Sequence, residues 1–415
     1  MKSTMRTDKT GMALFDPARH EVLDAQQWDE ARARTTIEWI VRGTEDAFVP
    51  QTYWPMHPLD SDGDGAQTAY PLYFGACGVI LALCYLEGVG AVRLQRTYGG
   101  YLDALLPLTR TWLEESDSHD YASYLMGETA ILLLRYGLDF EADCAMRLEA
   151  LIAANVDNPA RELMWGSPGT ALAALFLHER TGDERWADLY RTLVRRLWSE
   201  LEWWQECDCR GWTQDMYGRS TRYVGGVHGF AATASVVIRG RDLLEGTEWA
   251  GWEKCIADTI ERTAIVDGGF ANWPPEAMAR GTAPRKMLMQ FCHGAPGVIT
   301  CVADHPDRAL DPLLVAGGDT IWDAGPLAKG SNLCHGTGGN GYAFLKLFGR
   351  TGDERWLERA RAFAMHGIRQ TEAHAARYGQ LRHSLWTGDP GFAVYLWDCI
   401  HGKARFPTLD VFFAG

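Results

Sequence analysis

The sequence predicts an all-α protein, a closed α/α toroid of seven helical hairpins with an inner and an outer ring of helices, and three observations predict it. The hexapeptide TGDERW occurs twice, at Thr181–Trp186 and Thr351–Trp356, each time preceded by Arg and fifteen residues after the first glycine of a G-x-x-G. An apolar stretch headed by small residues recurs along the chain, and strand-like alternation is weak throughout. Repetition at matched phase marks units that each bury a face by packing on their neighbours.

Taken in order, the apolar heads are YFGACGVILALCYL, YLMGETAILLLRYG, WGSPGTALAALFLHER, GVHGFAATASVVI, FCHGAPGVITCVA, LCHGTGGNGYAFLKLFGR and LWTGDPGFAVYLWDC. Their first glycines are Gly75, Gly127, Gly166, Gly229, Gly294, Gly336 and Gly388. MGETA and HGFAA are degenerate, since each lacks the second glycine. In the two TGDERW units the apolar helix ends at Gly182 or Gly352, a residue that accepts the left-handed C-terminal conformation. Asp183 or Asp353 then caps a charged, amphipathic helix. If the apolar helices crowd side by side with the amphipathic ones outside them, the whole chain, 1–415, is one domain. Its first seventy or so residues, an N-terminal segment and first outer helix, match the repeat poorly.

Composition narrows the function classes. With 47% hydrophobic and 23% charged residues the chain reads as globular, and its net charge of -14 opposes a nucleic-acid partner. The first residues carry no sustained apolar core of a signal peptide. The longest nearly apolar run, Tyr73 to Leu86, is too short for a membrane span. A cytoplasmic protein is expected, in which cysteines serve as packed residues, metal ligands or catalytic thiols rather than disulfides. Cys84, Cys144, Cys255, Cys301 and Cys399 lie in apolar or amphipathic stretches and read as core. Asp60, Asp62, Asp64 and Gly65 imitate a calcium loop, but Pro71 stands where its bidentate Glu is needed, so a turn is expected.

The chemistry gathers before the glycines. If every inner helix starts at one end of the ring, Trp165, His228, Cys292, Cys334, His335 and Trp386 share a rim, where helix N-termini favour thiolates. Cys292, Cys334 and His335 make a three-ligand set that would leave a zinc one open position, the composition of a catalytic site. Small packed cysteines of a repeat are the alternative reading. His293, beside one of these ligands, suits an orienting or packed role. Cys207 and Cys209, in ECDCRGW, form a rival pair without a nearby histidine in sequence.

These motifs resemble the lanthionine synthetase C-like family. FCHGAPGV and LCHGTGGNGYAFL are similar to its two zinc-ligand motifs, and KARFP, Lys403 to Pro407, is similar to the end of its stand-alone branch. The resemblance covers the chain from Tyr73 onward. It implies a seven-hairpin toroid, one zinc on Cys292, Cys334 and His335, and addition of a thiol to dehydroalanine or dehydrobutyrine. It further implies His228 as the acid that protonates the product carbon and Glu162 as an acidic partner. Lys329 and Arg377 match basic positions that contact glutathione or the enolate oxygen, with His293 beside them, and a basic anchor near the start would be Arg6.

The first expectation is therefore zinc-dependent addition of glutathione or a similar thiol to dehydroamino-acid residues in peptides or proteins, prepared by a kinase or dehydratase. A lanthipeptide cyclase using the peptide's own cysteine is the alternative, and a non-catalytic zinc-containing scaffold is another. A glycosidase built on the same ring would need paired carboxylates at the rim, where Glu162 alone is well placed.

Overall fold

The computed structural model describes residues 13–61, 68–279, 281–282 and 284–414. Arg6 lies outside them, as do Asp62, Asp64 and Gly65. The described part of that acidic turn, Asp60, accepts a 2.7 Å hydrogen bond from Arg382 Nε.

Apolar and amphipathic helices alternate along the chain. The apolar set is α2 (Ala76–Gly88), α4 (Thr129–Asp139), α6 (Ser167–Thr181), α8 (Phe230–Arg239), α10 (Ala295–Val302), α12 (Thr337–Thr351) and α14 (Asp389–His401). Burial runs right round most of these helices, as an apolar sequence without a polar face requires. Between them stand α1 (Glu30–Asp46), α3 (Leu102–Glu115), α5 (Ala142–Ala154), α7 (Glu184–Ser199), α9 (Gly246–Thr263), α11 (Asp311–Ala324) and α13 (Glu354–Tyr378). Each buries one face only. Consecutive apolar helices pack on one another, and α14 returns to pack on α2, which closes the inner ring.

Local chemistry sets the boundaries. Gly75, Gly166, Gly229, Gly294, Gly336 and Gly388 are the N-caps of their helices, and in the degenerate second repeat the cap moves one residue on, to Glu128. That carboxylate is 2% exposed and pairs with Arg110 and Arg147. Gly182 and Gly352 end α6 and α12 with φ of 68° and 70°, and Asp183 and Asp353 cap the helices that follow through their side chains. HGFAA opens a helix like its neighbours, because Gly225 and Gly226 upstream supply the close approach: a Cβ on Gly226 would stand 2.6 Å from the Phe291 carbonyl oxygen.

The second glycine of a pair admits a backbone. A Cβ at Gly297 would lie 1.7 Å from the Phe291 oxygen, and one at Gly339 would lie 1.8 Å from the Leu333 oxygen. The pre-helical turn of each unit folds back onto its own helix, so the turns crowd at one rim. There the residues two before the first glycine join by backbone hydrogen bonds. Cys292 N donates to Cys334 O, Cys334 N to Trp386 O, Trp386 N to Tyr73 O, Tyr73 N to Leu125 O, and Leu125 N to Met164 O.

The middle of the ring is filled. The C-terminal tail brings Phe406, fully buried, against Phe291 at 4.5 Å and Tyr342 at 4.8 Å between ring centroids. Strand content is confined, among the described residues, to three two-stranded hairpins, β1 (Glu202–Trp204) with β2 (Cys209–Gly211), β3 (Gln214–Met216) with β4 (Arg219–Thr221), and β5 (Ile265–Asp267) with β6 (Phe270–Asn272).

Candidate functional site

Because the residues two before each glycine form the backbone belt, the residues one before it, His228, His293 and His335, line its mouth and are all partly exposed. Cys292, Cys334 and His335 come together: their ligand atoms lie within 4.8 Å of one another. Among the described residues this is the only such group of three or more His, Cys, Asp or Glu side chains. The two thiols share a hydrogen, which pulls the Cys292 thiol well below its ordinary range, with His335 adding to the effect, and pushes Cys334 well above it. A pair held in this way yields its protons to a cation. Soft and borderline divalent metals favour such a donor set.

Outer contacts orient the thiols. Tyr73 donates its hydroxyl to Cys334 Sγ at 2.8 Å, and Gln290 Nε2 donates to Cys292 Sγ at 2.9 Å. Arg19 Nη2 in turn donates to Gln290 Oε1 at 3.2 Å, so the N-terminal segment reaches the site. Asn332 Oδ1 accepts from the His335 backbone N–H at 3.0 Å and shapes the turn. Lys329 is on the same side: its ammonium is lowered mainly by partial burial, then by Arg19, while the charges of Cys292 and Cys334 act to raise it.

A second constellation adjoins the first. Glu162, fully buried, accepts from His228 Nδ1 at 2.7 Å and from the backbone N–H groups of Met164 and Trp165 at 2.9 and 2.5 Å. The carboxylate therefore has two fixed backbone donors and one titratable partner. With Nδ1 engaged by Glu162, Nε2 of His228 is the ring nitrogen left for other partners. His293, next to Cys292 in sequence, feels both constellations. Burial lowers its pKa, Cys292 raises it and His228 lowers it, while its Nδ1 is buried without a partner.

Arg377 is exposed and stacks on Tyr378 at 5.2 Å. Cys207 and Cys209 are each 2% exposed and form a small cluster with Trp204, apart from the main core. The Cys209 S–H lowers Cys207 to about 7. Burial raises Cys255 and Cys301 to about 12, as packed thiols require. A cavity of about 760 Å³ lies by α9 and α11 and includes none of the triad.

Tyr73, Gln290 and Arg19 were missed by reading the sequence. Tyr73 had a signal, since it occupies the same position before Gly75 that Cys292 and Cys334 occupy before theirs. Gln290 is two residues from Cys292 and could have been considered. Arg19 had no signal, because nothing local ties it to a turn 271 residues away.

Comparison with known proteins agrees with this geometry. The model of the family described as lanthionine synthetase C-like protein matches residues 66–411. Glutathione S-transferase LANCL1 of Danio rerio is 27% identical over 364 residues, 82% of this chain and 84% of that one. LanC-like protein GCL1 of Arabidopsis thaliana is 38% identical over 137 residues, 31% of each chain. Nisin cyclase superposes with a TM-score of 0.62 at 15% identity, covering 93% of this chain and 99% of that one. That likeness identifies the fold, a helical toroid.

Proposed function

The chain belongs to the lanthionine synthetase C-like family, and on that premise we propose that it is a zinc enzyme that adds glutathione or a similar thiol to dehydroalanine or dehydrobutyrine in a peptide or protein. One observation carries the reading: Cys292, Cys334 and His335 converge on the rim that also holds the Glu162–His228 pair. Two cysteines and a histidine suit zinc and leave a fourth position for a ligand. Zinc held there would keep a bound thiol as thiolate at neutral pH.

The chain's own residues supply the rest. Lys329 and Arg19 place positive charge beside the thiols, where the carboxylates of glutathione would be drawn. A carbon–sulfur bond forms at the β-carbon, the double-bond pair moves toward the carbonyl, and a proton closes the α-carbon. The proton lost by the thiol is taken up at Nε2 of His228, which delivers it to the α-carbon, with Glu162 holding the ring in place and offsetting its transient charge. No oxidant is needed, since the thiol adds across the double bond. The closed ring supports reading 1–415 as one domain, and thiols kept free for such chemistry support the cytoplasm. Among the described residues no helix is long and apolar enough to cross a membrane.

The test is to incubate the zinc-loaded protein with glutathione and a dehydrobutyrine peptide and follow the peptide mass. A glutathione-sized gain, absent in Cys334→Ala and after chelation, is expected. No gain with zinc bound would overturn the reading and favour a cyclase that needs its own peptide, or a scaffold.

A further inference from the structure

The β3–β4 hairpin does something its own stability does not ask for. Strand register pairs Gln214 with Thr221, Asp215 with Ser220 and Met216 with Arg219, leaving a two-residue turn of Tyr217 and Gly218 with φ of 54° and 72°. Both positive angles match a type I′ turn, where Asn-Gly is favoured and a bulky aromatic in the first position is strained. Tyr217 is also 64% exposed. A strained backbone and an exposed ring therefore coincide on one residue.

The hairpin is fixed where it stands. Gln214, 2% exposed, accepts from the backbone N–H of Arg161 at 2.9 Å, next to Glu162, and Arg219 pairs with Glu276. The tip thereby comes to the mouth of the rim. Trp165 Nε1 donates to the Tyr217 hydroxyl at 3.1 Å, and that oxygen is 3.5 Å from His228 Nε2. The Tyr217 and His228 rings meet edge to face at 5.5 Å. Trp165 thus holds the exposed Tyr217 ring beside the imidazole. Rigid aromatic rings offer large contact area at little entropic cost.

We propose that Tyr217, braced by Trp165, is the acceptor-positioning residue of this site: its ring receives an apolar side chain next to the dehydroamino acid and sets the peptide across His228. The inference rests on the thiol-addition reading and names its acceptor class, a peptide with a flat or branched apolar residue flanking the reactive one.

Binding is measured by calorimetry on the zinc-loaded full chain without thiol, using two short dehydrobutyrine peptides flanked by Phe or by Gly. Tyr217→Gly suits the positive φ and removes the ring without straining the fold, which its melting temperature verifies. It is expected to raise Kd for the Phe-flanked peptide about tenfold and to erase the preference over the Gly-flanked one. Tyr217→Phe keeps the ring but gives up the Trp165 hydrogen bond, and is expected to raise Kd by less than about threefold while keeping the flank preference. The proposal is overturned if Tyr217→Gly leaves both Kd values unchanged, if Tyr217→Phe weakens binding as much as Gly does, or if the wild-type chain shows no flank preference. Flank-dependent binding without any thiol addition would sink the catalytic reading alone. Thiol addition with a Kd indifferent to Tyr217→Gly would sink this one alone.

Discussion

The two ends of the inner ring are built from the same seven helices and behave as opposites. At the N-terminal rim, glycines let carbonyls press against helix starts, and the side chains before them remain free to do chemistry. At the other end the helices finish among arginines and a buried lysine paired with two more exposed carboxylates. Arg350 donates to the carbonyls of Ala303, His305 and Asp307 at 2.6, 2.6 and 2.7 Å. Lys346, 4% exposed, bonds Asp304 at 2.6 Å and Asp410 of the C-terminal tail at 2.7 Å. One end leaves its charges to be completed by a ligand, whereas the other completes them internally. The difference follows from helix polarity, since N-termini attract anions and thiolates while C-termini attract cations.

The largest effect should come from breaking the open end. Cys334→Ala removes one of two thiolates, and thiol addition should fall at least roughly a thousandfold while zinc content drops, with circular dichroism little changed. Mass-detected turnover and metal analysis check both. The closed end should fail in stability instead. Lys346→Met leaves Asp410 and the more exposed Asp304 without their shared cation, and urea unfolding should show a loss of about 1–3 kcal/mol with the metal triad intact.

Acid should separate the ends further. His57 and His383, 3% and 8% exposed, are both pushed down to about 4 by burial, with Arg382 acting on the former and His57 on the latter. Unfolded histidines take up protons near 6.5, so the stability these two contribute is present above that pH and lost as pH falls toward 4. Each displacement is worth at most about 3 kcal/mol. The melting temperature should therefore fall between pH 6.5 and 4, and His383→Asn should flatten that slope. A slope unchanged by the substitution would place the acid sensitivity elsewhere.

A smaller effect should sharpen the rim itself. Glu162→Gln keeps the side chain's shape, but with one accepting oxygen in place of two it gives up one of the two backbone hydrogen bonds as well as the charge facing His228 Nδ1. The chemical step should slow by about 10- to 100-fold with zinc content unchanged, measured under single turnover. Loss of zinc in this variant would mean that Glu162 supports the metal centre instead.

How much of this was readable in advance varied with distance along the chain. The caps at Gly182, Gly352, Asp183 and Asp353 were legible because helix ends depend on residues a few positions apart. The starts of the inner helices were legible for the same reason, apart from the one-residue shift at Glu128. HGFAA looked defective only because its compensating Gly225 and Gly226 lie outside the repeat's usual positions. Lys329 was legible from its spacing to Cys334, whereas Arg19, which adds charge on the same side, was not. That Arg19 arrives depends on how segments hundreds of residues apart pack, and no local pattern encodes that.

By itself the sequence determined the repeat, the helix boundaries and the two Cys-His-Gly motifs, since these follow from backbone propensity and spacing within one hairpin. Tertiary structure decided the rest: Tyr73 and Gln290 on the thiols, Arg19 behind them, Glu162 beneath His228 and Tyr217 beside it. Closing a ring brings together residues whose separation in sequence says nothing of their separation in space, and only that closure turns seven similar turns into one unequal rim.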